Sequence, residues 1–253
     1  MRFKQASIGS NQILNLLLDK NRIQFINHCD VVALNLNEVI ANPGSVIEYV
    51  YFPIEGIISW EKKIPDNPSL VIALIGNEGV LFPNVILGEN STPCRAVVQQ
   101  AGFALRIAAA DFIHQVEHDS ALRQLLKRYI FVIYSQLLQT ASCNLFHVLE
   151  TRLAKLLLAF QDRSQLDELH VTQELLAQML GVRRVGVTKA AGSLQRQNLI
   201  SYSRGNVIIH NRKGLKTASC LCYQTDNDTY AQFLKAPEST LTSEPDIDEM
   251  FVS

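Results

Sequence analysis

The spacing of hydrophobic and polar residues separates a strand-rich part of the chain from its helical parts. Residues 1–30 carry apolar residues at helical intervals with charges between them, which predicts a helix there. Residues 31–110 instead hold short runs of β-branched and aromatic residues between Pro, Gly and Asn turns. The clearest runs cover residues 46–52, 56–60, 70–75 and 95–99. Several short strands with no helix between them predict an antiparallel roll or barrel.

Helical periodicity returns from Ser120 onward and predicts a long helix. Apolar residues there recur at the 4-3-4 spacing of a coiled-coil seam, namely Leu122, Leu126, Tyr129 and Ile133. Further apolar residues flank this seam, so the helix has to be covered on more than one face. We expect the roll to cover one face and the same helix of a second copy to cover the seam. The alternative is a helix buried wholly within one chain.

The stretch from Val171 to Leu194 has the pattern of two short helices joined by a tight turn. Thr172 is suited to a helix N-cap, because its hydroxyl can accept from the free amides of a first turn. Gly181 tolerates the left-handed backbone that ends a helix. The second helix is basic on one side, where its cations are Arg183, Arg184, Lys189 and Arg196. This combination predicts a helix-turn-helix.

The segment after these helices has the pattern of a β-hairpin. Residues 198–203 predict a strand, Arg204-Gly205-Asn206 a turn, and residues 207–210 a returning strand. Such a hairpin is the wing of a winged helix. Arg204 at its tip would bring a cation close to a DNA phosphate.

Charge is concentrated in the same region. Residues 168–216 hold eight lysines and arginines against two acids, a balance of +6, whereas the whole chain is −1 and the remainder therefore −7. A basic module within an otherwise acidic chain favours a nucleic-acid partner. The alternative is a winged helix that serves only as a protein-interaction adaptor.

Composition sets the wider bounds. A chain of 253 residues with 47% hydrophobic content predicts an ordinary globular protein of about two domains. No apolar run is long enough to span a membrane, and no signal peptide is evident. The five cysteines are odd in number and mostly scattered, which favours reduced thiols in a cytoplasm.

These patterns predict an α+β fold with four consecutive parts. The parts are residues 1–118, an antiparallel, jelly-roll-like β-roll with an N-terminal helix; 119–146, a dimerisation helix; 147–217, a winged helix-turn-helix; and 218–253, an acidic C-terminal extension. The extension is polar and rich in acids, and we expect it to be largely disordered.

The order of roll, long helix, short helix and winged helix resembles the Crp/Fnr family of bacterial transcription regulators over roughly residues 10–217. The most specific motifs are Arg152-Leu-Ala, Val171 to Gly181 and Gln197-Asn-Leu-Ile200. The resemblance implies a cytoplasmic, non-enzymatic homodimer that binds a pseudo-palindromic site in double-stranded DNA. It also implies contact with RNA polymerase if the protein is an activator.

The resemblance further assigns individual DNA contacts. Arg184 matches an arginine that contacts guanine, and Lys189 matches a third, usually basic, reading position. Between them, Val185 stands where an acid commonly accepts from cytosine, so we expect an altered sequence preference, for example through a thymine methyl group. The expected phosphate contacts are Thr172, Arg183, Thr188 and Arg204.

The sensing half departs from the family members that bind cyclic nucleotides. Their Gly-Glu-Leu triplet is matched by Gly79-Val80-Leu81, which lacks the ribose-binding carboxylate, and Arg95 is the one plausible phosphate partner. The sequence therefore argues against cyclic AMP. It also argues against an iron–sulfur cluster, because Cys29 stands alone near the N-terminus and Cys220-Leu-Cys222 follows the wing. No cofactor is evident from the sequence, and haem or another small ligand stays an open alternative.

One competing interpretation is a metal-dependent hydrolase. His114, Glu117 and His118 fit the His-x-x-Glu-His pattern of certain zinc peptidases. The pattern lies in a short polar segment with no third ligand evident. The favoured interpretation is a solvated charged face, with no catalytic or metal-binding residue.

Overall fold

The computed structural model describes residues 11–64 and 69–234. The helices are α1 (Asp19–Ile26), α2 (Ala109–His118), α3 (Ser120–Phe146), α4 (Leu149–Ser164), α5 (Gln173–Leu180), α6 (Arg184–Arg196), α7 (Arg212–Ala218) and α8 (Cys222–Leu234). The strands are β1 (Asp30–Leu34), β2 (Val39–Ala41), β3 (Tyr49–Lys62), β4 (Leu70–Ile75), β5 (Arg95–Ala108), β6 (Glu168–His170), β7 (Ile200–Ser203) and β8 (Asn206–Ile209). None of the helices among these residues combines the length and apolar character needed to cross a membrane.

Strands β1 to β5 form one antiparallel sheet in the order β1-β5-β3-β4, with β2 also paired to β5. This confirms the predicted antiparallel roll. The runs 46–52 and 56–60 were expected to be separate strands, but both contribute to β3, which pairs with β5 along its length. The register shifts around Gly56, whose φ is +90° and whose missing Cβ would lie 2.6 Å from the Gln100 carbonyl oxygen. The glycine therefore marks a bulge inside a strand and not a turn between two.

The core of the roll is closed by helices on one side of the sheet. Phe25 of α1 packs edge-on against Phe52 of β3, with ring centroids 5.2 Å apart, and Phe112 of α2 lies against both. All three rings are buried. Complete burial of such a side chain contributes about 1.5–3 kcal/mol, so α1 and α2 are held firmly to the sheet.

The predicted long helix is confirmed as α3, but the seam assigned to the dimer is wrong. Leu122, Leu126 and Tyr129 are each at most 4% exposed in the single chain, and Ile133 packs against the same core. All four side chains cover the roll, and the first three have almost no exposed surface left for a second copy. Periodicity showed that α3 has more than one apolar face, but it could not show which of these faces packs against the roll.

A different row of α3 faces outward in the described chain. It has the 4-3-4 spacing of a coiled-coil seam and consists of Tyr134, Leu138, Ala141 and Leu145. Tyr134 is 57% exposed, Leu138 53% and Leu145 79%. This row is called the outer seam below.

The prediction of a disordered extension is wrong for the residues up to 234, and residues 235–253 lie outside the described part of the chain. Residues 222–234 form α8, which packs along α3. The Phe233 ring packs at a tilt against Phe131 of α3, with ring centroids 4.7 Å apart, and the Tyr230 hydroxyl donates to the Glu78 carbonyl oxygen at 2.7 Å. The acids suggested disorder, but Tyr223, Tyr230 and Leu234 recur at helical spacing and give α8 an apolar face.

Candidate nucleic-acid interface

Helices α5 and α6 form the predicted helix-turn-helix. The Thr172 hydroxyl accepts from the Leu175 amide at 3.1 Å, which is the N-cap contact expected at the start of α5. Gly181 ends α5 with φ +63°, in the left-handed region. Helix α6 then begins at Arg184, with Arg183 as its N-cap residue.

The two faces of α6 have opposite character. Its apolar face is buried in the second hydrophobic core, which it shares with α4, through Val187, Ala190, Ala191 and Leu194. The opposite face is exposed and carries the predicted contacts Arg184, Val185, Thr188 and Lys189. Val185 is 61% exposed although it is apolar. A solvent-facing valine flanked by cations fits a surface that meets both base edges and phosphates.

A residue that the sequence did not single out orients this face. The Gln173 side-chain oxygen accepts from Arg184 Nε at 3.0 Å and from the Thr188 hydroxyl at 3.1 Å. Because the bond to Arg184 uses Nε, the two terminal nitrogens of the guanidinium remain available for a bidentate contact. Gln173 could not be found from local pattern, since its role arises where α5 crosses the start of α6.

The hairpin β7–β8 confirms the predicted wing. Arg204 and Gly205 form its two-residue loop, with φ angles of +49° and +86°. Two consecutive residues with positive φ are the mark of the turn that matches strand twist. A third strand, β6, pairs with β8 and was not predicted, because three residues carry too little pattern.

A hollow of about 320 Å³ lies between the wing and the helix-turn-helix. Its lining brings together three predicted contacts, Thr172, Arg184 and Arg204, together with Gln173, Glu174, Tyr202 and Gly205. The Tyr202 hydroxyl donates to the Val171 carbonyl oxygen at 3.2 Å and so ties β7 to the start of α5. Burial raises the pKa of Tyr202, opposed by the charge of Arg184, so the phenol stays neutral and serves as a donor.

Arg212, which was counted in the basic region, and Arg152, which precedes that region, both have structural partners. Arg212 contacts Asp162 at 2.6 Å and donates to the Gln161 side chain at 2.5 Å. Arg152, in the Arg-Leu-Ala motif, donates to the Asn144 side chain at 2.6 Å and to the Leu180 carbonyl oxygen at the end of α5. Arg212 therefore neutralises the charge of Asp162 in α4. Arg152 holds the helix-turn-helix against α3.

The residues considered for effector binding lie in the roll and are engaged there. Val80 and Leu81 are fully buried in the core. Arg95 Nη1 lies 3.5 Å from Glu61 Oε2, and Glu61 is itself buried and bonded to Ser59 and Gln99. The Arg95 charge thus has an internal carboxylate partner.

The histidines of the hydrolase alternative lie on the surface of α2. His114 and His118 stack on the exposed side of α2, with ring centroids 4.2 Å apart, and His118 Nδ1 lies 2.8 Å from the His114 carbonyl oxygen. Within the described residues they are not part of any group of three candidate metal ligands. The geometry agrees with a solvated face.

Comparison with known proteins adds a family match for the DNA-binding part. Residues 151–218 match the family model of the Crp-like helix-turn-helix domain. The fold is similar to that of FixK2 from Bradyrhizobium japonicum, with a TM-score of 0.61 and 15% identity over 76% of this chain and 98% of that one. It is also similar to a CRP/FNR-family transcriptional regulator from Thermus thermophilus, with a TM-score of 0.62 and 20% identity over 75% of this chain and 98% of that one. No curated protein matches the sequence.

The exposed basic face of α6, the wing and the matched domain define a winged-helix DNA-binding protein. The same winged helix follows a β-roll and a long helix, which is the arrangement of the similar solved structures. Residues 151–218 thus form a Crp-like helix-turn-helix domain, in a chain whose fold is similar to that of solved CRP/FNR-family transcriptional regulators.

Proposed function

We propose that two copies of the chain bind a pseudo-palindromic DNA site, with one α6 in the major groove of each half-site. The observation that carries this proposal is the exposed face of α6, on which Arg184, Val185 and Lys189 share one side. Arg184 contacts the O6 and N7 atoms of a guanine, Val185 a thymine methyl group and Lys189 a further base edge. Arg183, Thr188, Thr172 and Arg204 lie at the flanks and contact phosphates.

The second copy docks on the outer seam of α3. Paired helices at this seam form a two-fold interface, in which each residue near the axis meets its own counterpart. The outer seam has coiled-coil spacing and exposes large apolar side chains, which supports this arrangement. The dimer would present two recognition helices about 34 Å apart, the separation of successive major grooves.

The regulator acts without cyclic AMP. By sequence resemblance, Val80 stands where the cyclic-nucleotide-binding members carry the ribose-binding carboxylate, and its side chain is buried, while the Arg95 charge faces Glu61. A cyclic nucleotide would therefore lack both polar anchors. The protein works in a bacterial cytoplasm and contacts RNA polymerase where it activates transcription.

Selection of bound sequences from random duplex DNA tests the proposal. The full chain is expected to enrich a two-fold symmetric motif with a guanine in each half-site, unchanged by cyclic AMP. Binding to that motif should weaken steeply as salt rises, because phosphate contacts release counterions. A protein-interaction adaptor would enrich no motif and show no such dependence, and that result would reject the proposed function.

A further inference from the structure

Three of the five cysteines and one histidine converge where α3 meets α4 and α8. Cys143 lies in the last turn of α3 and His147 follows that helix, four residues later. Cys222 is the first residue of α8, and Cys220 lies two residues before it. The four potential ligand atoms all lie within 4.8 Å of one another. No local pattern indicates this cluster, because Cys143 and Cys220 are 77 residues apart.

The spacing of the four atoms fits a single metal ion. Cys143 Sγ lies 3.5 Å from Cys220 Sγ, and Cys222 Sγ lies 3.4 Å from His147 Nδ1. A tetrahedral zinc ion with Zn–S bonds of about 2.3 Å holds its sulfur ligands about 3.8 Å apart. The observed separations need only a small adjustment to reach that geometry. A disulfide would instead need its sulfurs at about 2.05 Å, and all these cysteines are free.

The surroundings of the sulfur atoms are those of a ligand site. The three cysteines are at most 8% exposed and form a cluster of their own, separate from both hydrophobic cores. Gln139 Nε2 lies 2.9 Å from Cys222 Sγ and donates to it. Such a donor beside a ligand sulfur is typical of the outer shell of a metal centre. His147 is exposed and leaves a route for an ion to enter.

We propose that Cys143, His147, Cys220 and Cys222 bind one zinc ion in a tetrahedral site. Three thiolates and an imidazole are a known structural zinc set, and soft sulfur ligands in tetrahedral geometry favour zinc over harder divalent ions. The thiols lose their protons to solvent as the ion binds. All four positions are filled by side chains, so the ion has a structural and not a catalytic role.

The ion links three segments that are distant in sequence. It joins the end of α3, the short connection from α3 to α4, and the start of α8. Only His147 and Val148 separate α3 from α4, so a ligand at His147 fixes the angle at which the winged helix leaves the long helix. This site does not depend on the proposed DNA contacts, and its test does not use DNA.

The metal content of the full chain, purified under reducing conditions without chelating resin, gives the first test. Elemental analysis by mass spectrometry is expected to find about one zinc ion per chain. Replacement by Co²⁺ is expected to produce the visible bands of a tetrahedral ion and the charge-transfer bands of thiolate ligands. Cys222→Ser should weaken zinc binding by more than about 100-fold. Cys94→Ser, which removes a buried cysteine of the roll, is the matched control and should bind zinc normally.

Three results would overturn the proposal. One is a native chain that stays without metal in the presence of excess zinc while all five thiols titrate as free. Another is a Cys143–Cys220 disulfide in the purified protein, which would indicate a redox pair. The third is a cobalt spectrum without thiolate bands. All three use the native chain, so they decide the matter even if Cys222→Ser does not fold.

Discussion

Lys155 Nζ and Asp226 Oδ2 lie 2.6 Å apart, where α4 of the winged helix meets α8. Their side chains are only 15% and 18% exposed. Burial raises the pKa of Asp226, and the charge of Lys155 opposes this shift. At its other end, α8 reaches the roll through Tyr230 and Glu78. Helix α8 therefore contacts both the winged helix and the roll.

Replacing only one residue of the Lys155–Asp226 pair should destabilise the protein strongly. Lys155→Met or Asp226→Leu alone leaves a buried charge without its partner, and each is expected to lower the free energy of unfolding by about 3–5 kcal/mol. The double variant should lie much closer to the wild type, since burial outweighs the attraction within the pair. Urea denaturation of the wild type, the two single variants and the double variant gives the four free energies of unfolding of a double-mutant cycle. Additive losses would show that the two charges do not interact.

Arg184→Ala is expected to weaken binding to the selected site by about 1–3 kcal/mol and to relax the preference at one base pair of each half-site. The reason is the loss of a bidentate contact to guanine. Competition binding with single-base variants of the site measures both effects. Arg196→Ala removes the same charge from the far end of α6 and should weaken binding without changing the preference. Unchanged discrimination in Arg184→Ala would refute the assignment.

Gln173→Ala is expected to reduce the discrimination at the same base pair, but by less, about 0.5–1.5 kcal/mol. The Arg184 side chain remains, but it loses the acceptor at 3.0 Å that fixes its orientation. The same competition assay applies. Gln178→Ala shortens another glutamine of α5 and serves as the control. Stronger discrimination in Gln173→Ala would mean that Gln173 competes with DNA for the arginine.

The helix-turn-helix was predictable because its signals are local. Thr172 caps a helix and Gly181 ends one, and both effects depend on neighbouring residues. Strand β4 was equally clear, since residues 70–75 form a continuous apolar run. The orientation of Arg184 by Gln173 was not predictable, because it depends on how two helices cross.

The wrong predictions have a common physical cause. Composition and hydrophobic periodicity do not show which residues a side chain will contact in the folded chain. The heptad at Leu122 and Leu126 is real, but its partner is the roll of the same chain. The acids of α8 suggested a solvated tail, yet Asp226 is paired with Lys155. The cysteines looked scattered because only the packing of α8 on α3 brings Cys222 to Cys143.

Leu138→Glu is expected to separate the proposed dimer. The substitution places like charges on both sides of the outer seam, and a cost of about 1.4 kcal/mol or more raises the dissociation constant at least about tenfold. Sedimentation equilibrium measures this, and affinity for the two-fold site should fall with it. Leu36→Glu, at a position of the roll that is 59% exposed, is the control. If Leu138→Glu remains dimeric, the second copy docks elsewhere.

Gln139→Ala is expected to weaken zinc binding by about 10–100-fold without abolishing it, because the variant loses the donor that orients and stabilises the Cys222 thiolate. Titration against a coloured zinc chelator measures the apparent affinity. Gln136→Ala lies about one turn earlier on α3 and should leave the affinity unchanged. Gln139→Glu is a sharper variant, since it replaces the donor by a carboxylate beside three thiolates and should bind zinc more weakly than Gln139→Ala. If both variants bind zinc like the wild type, the Gln139 contact at 2.9 Å does not support the metal.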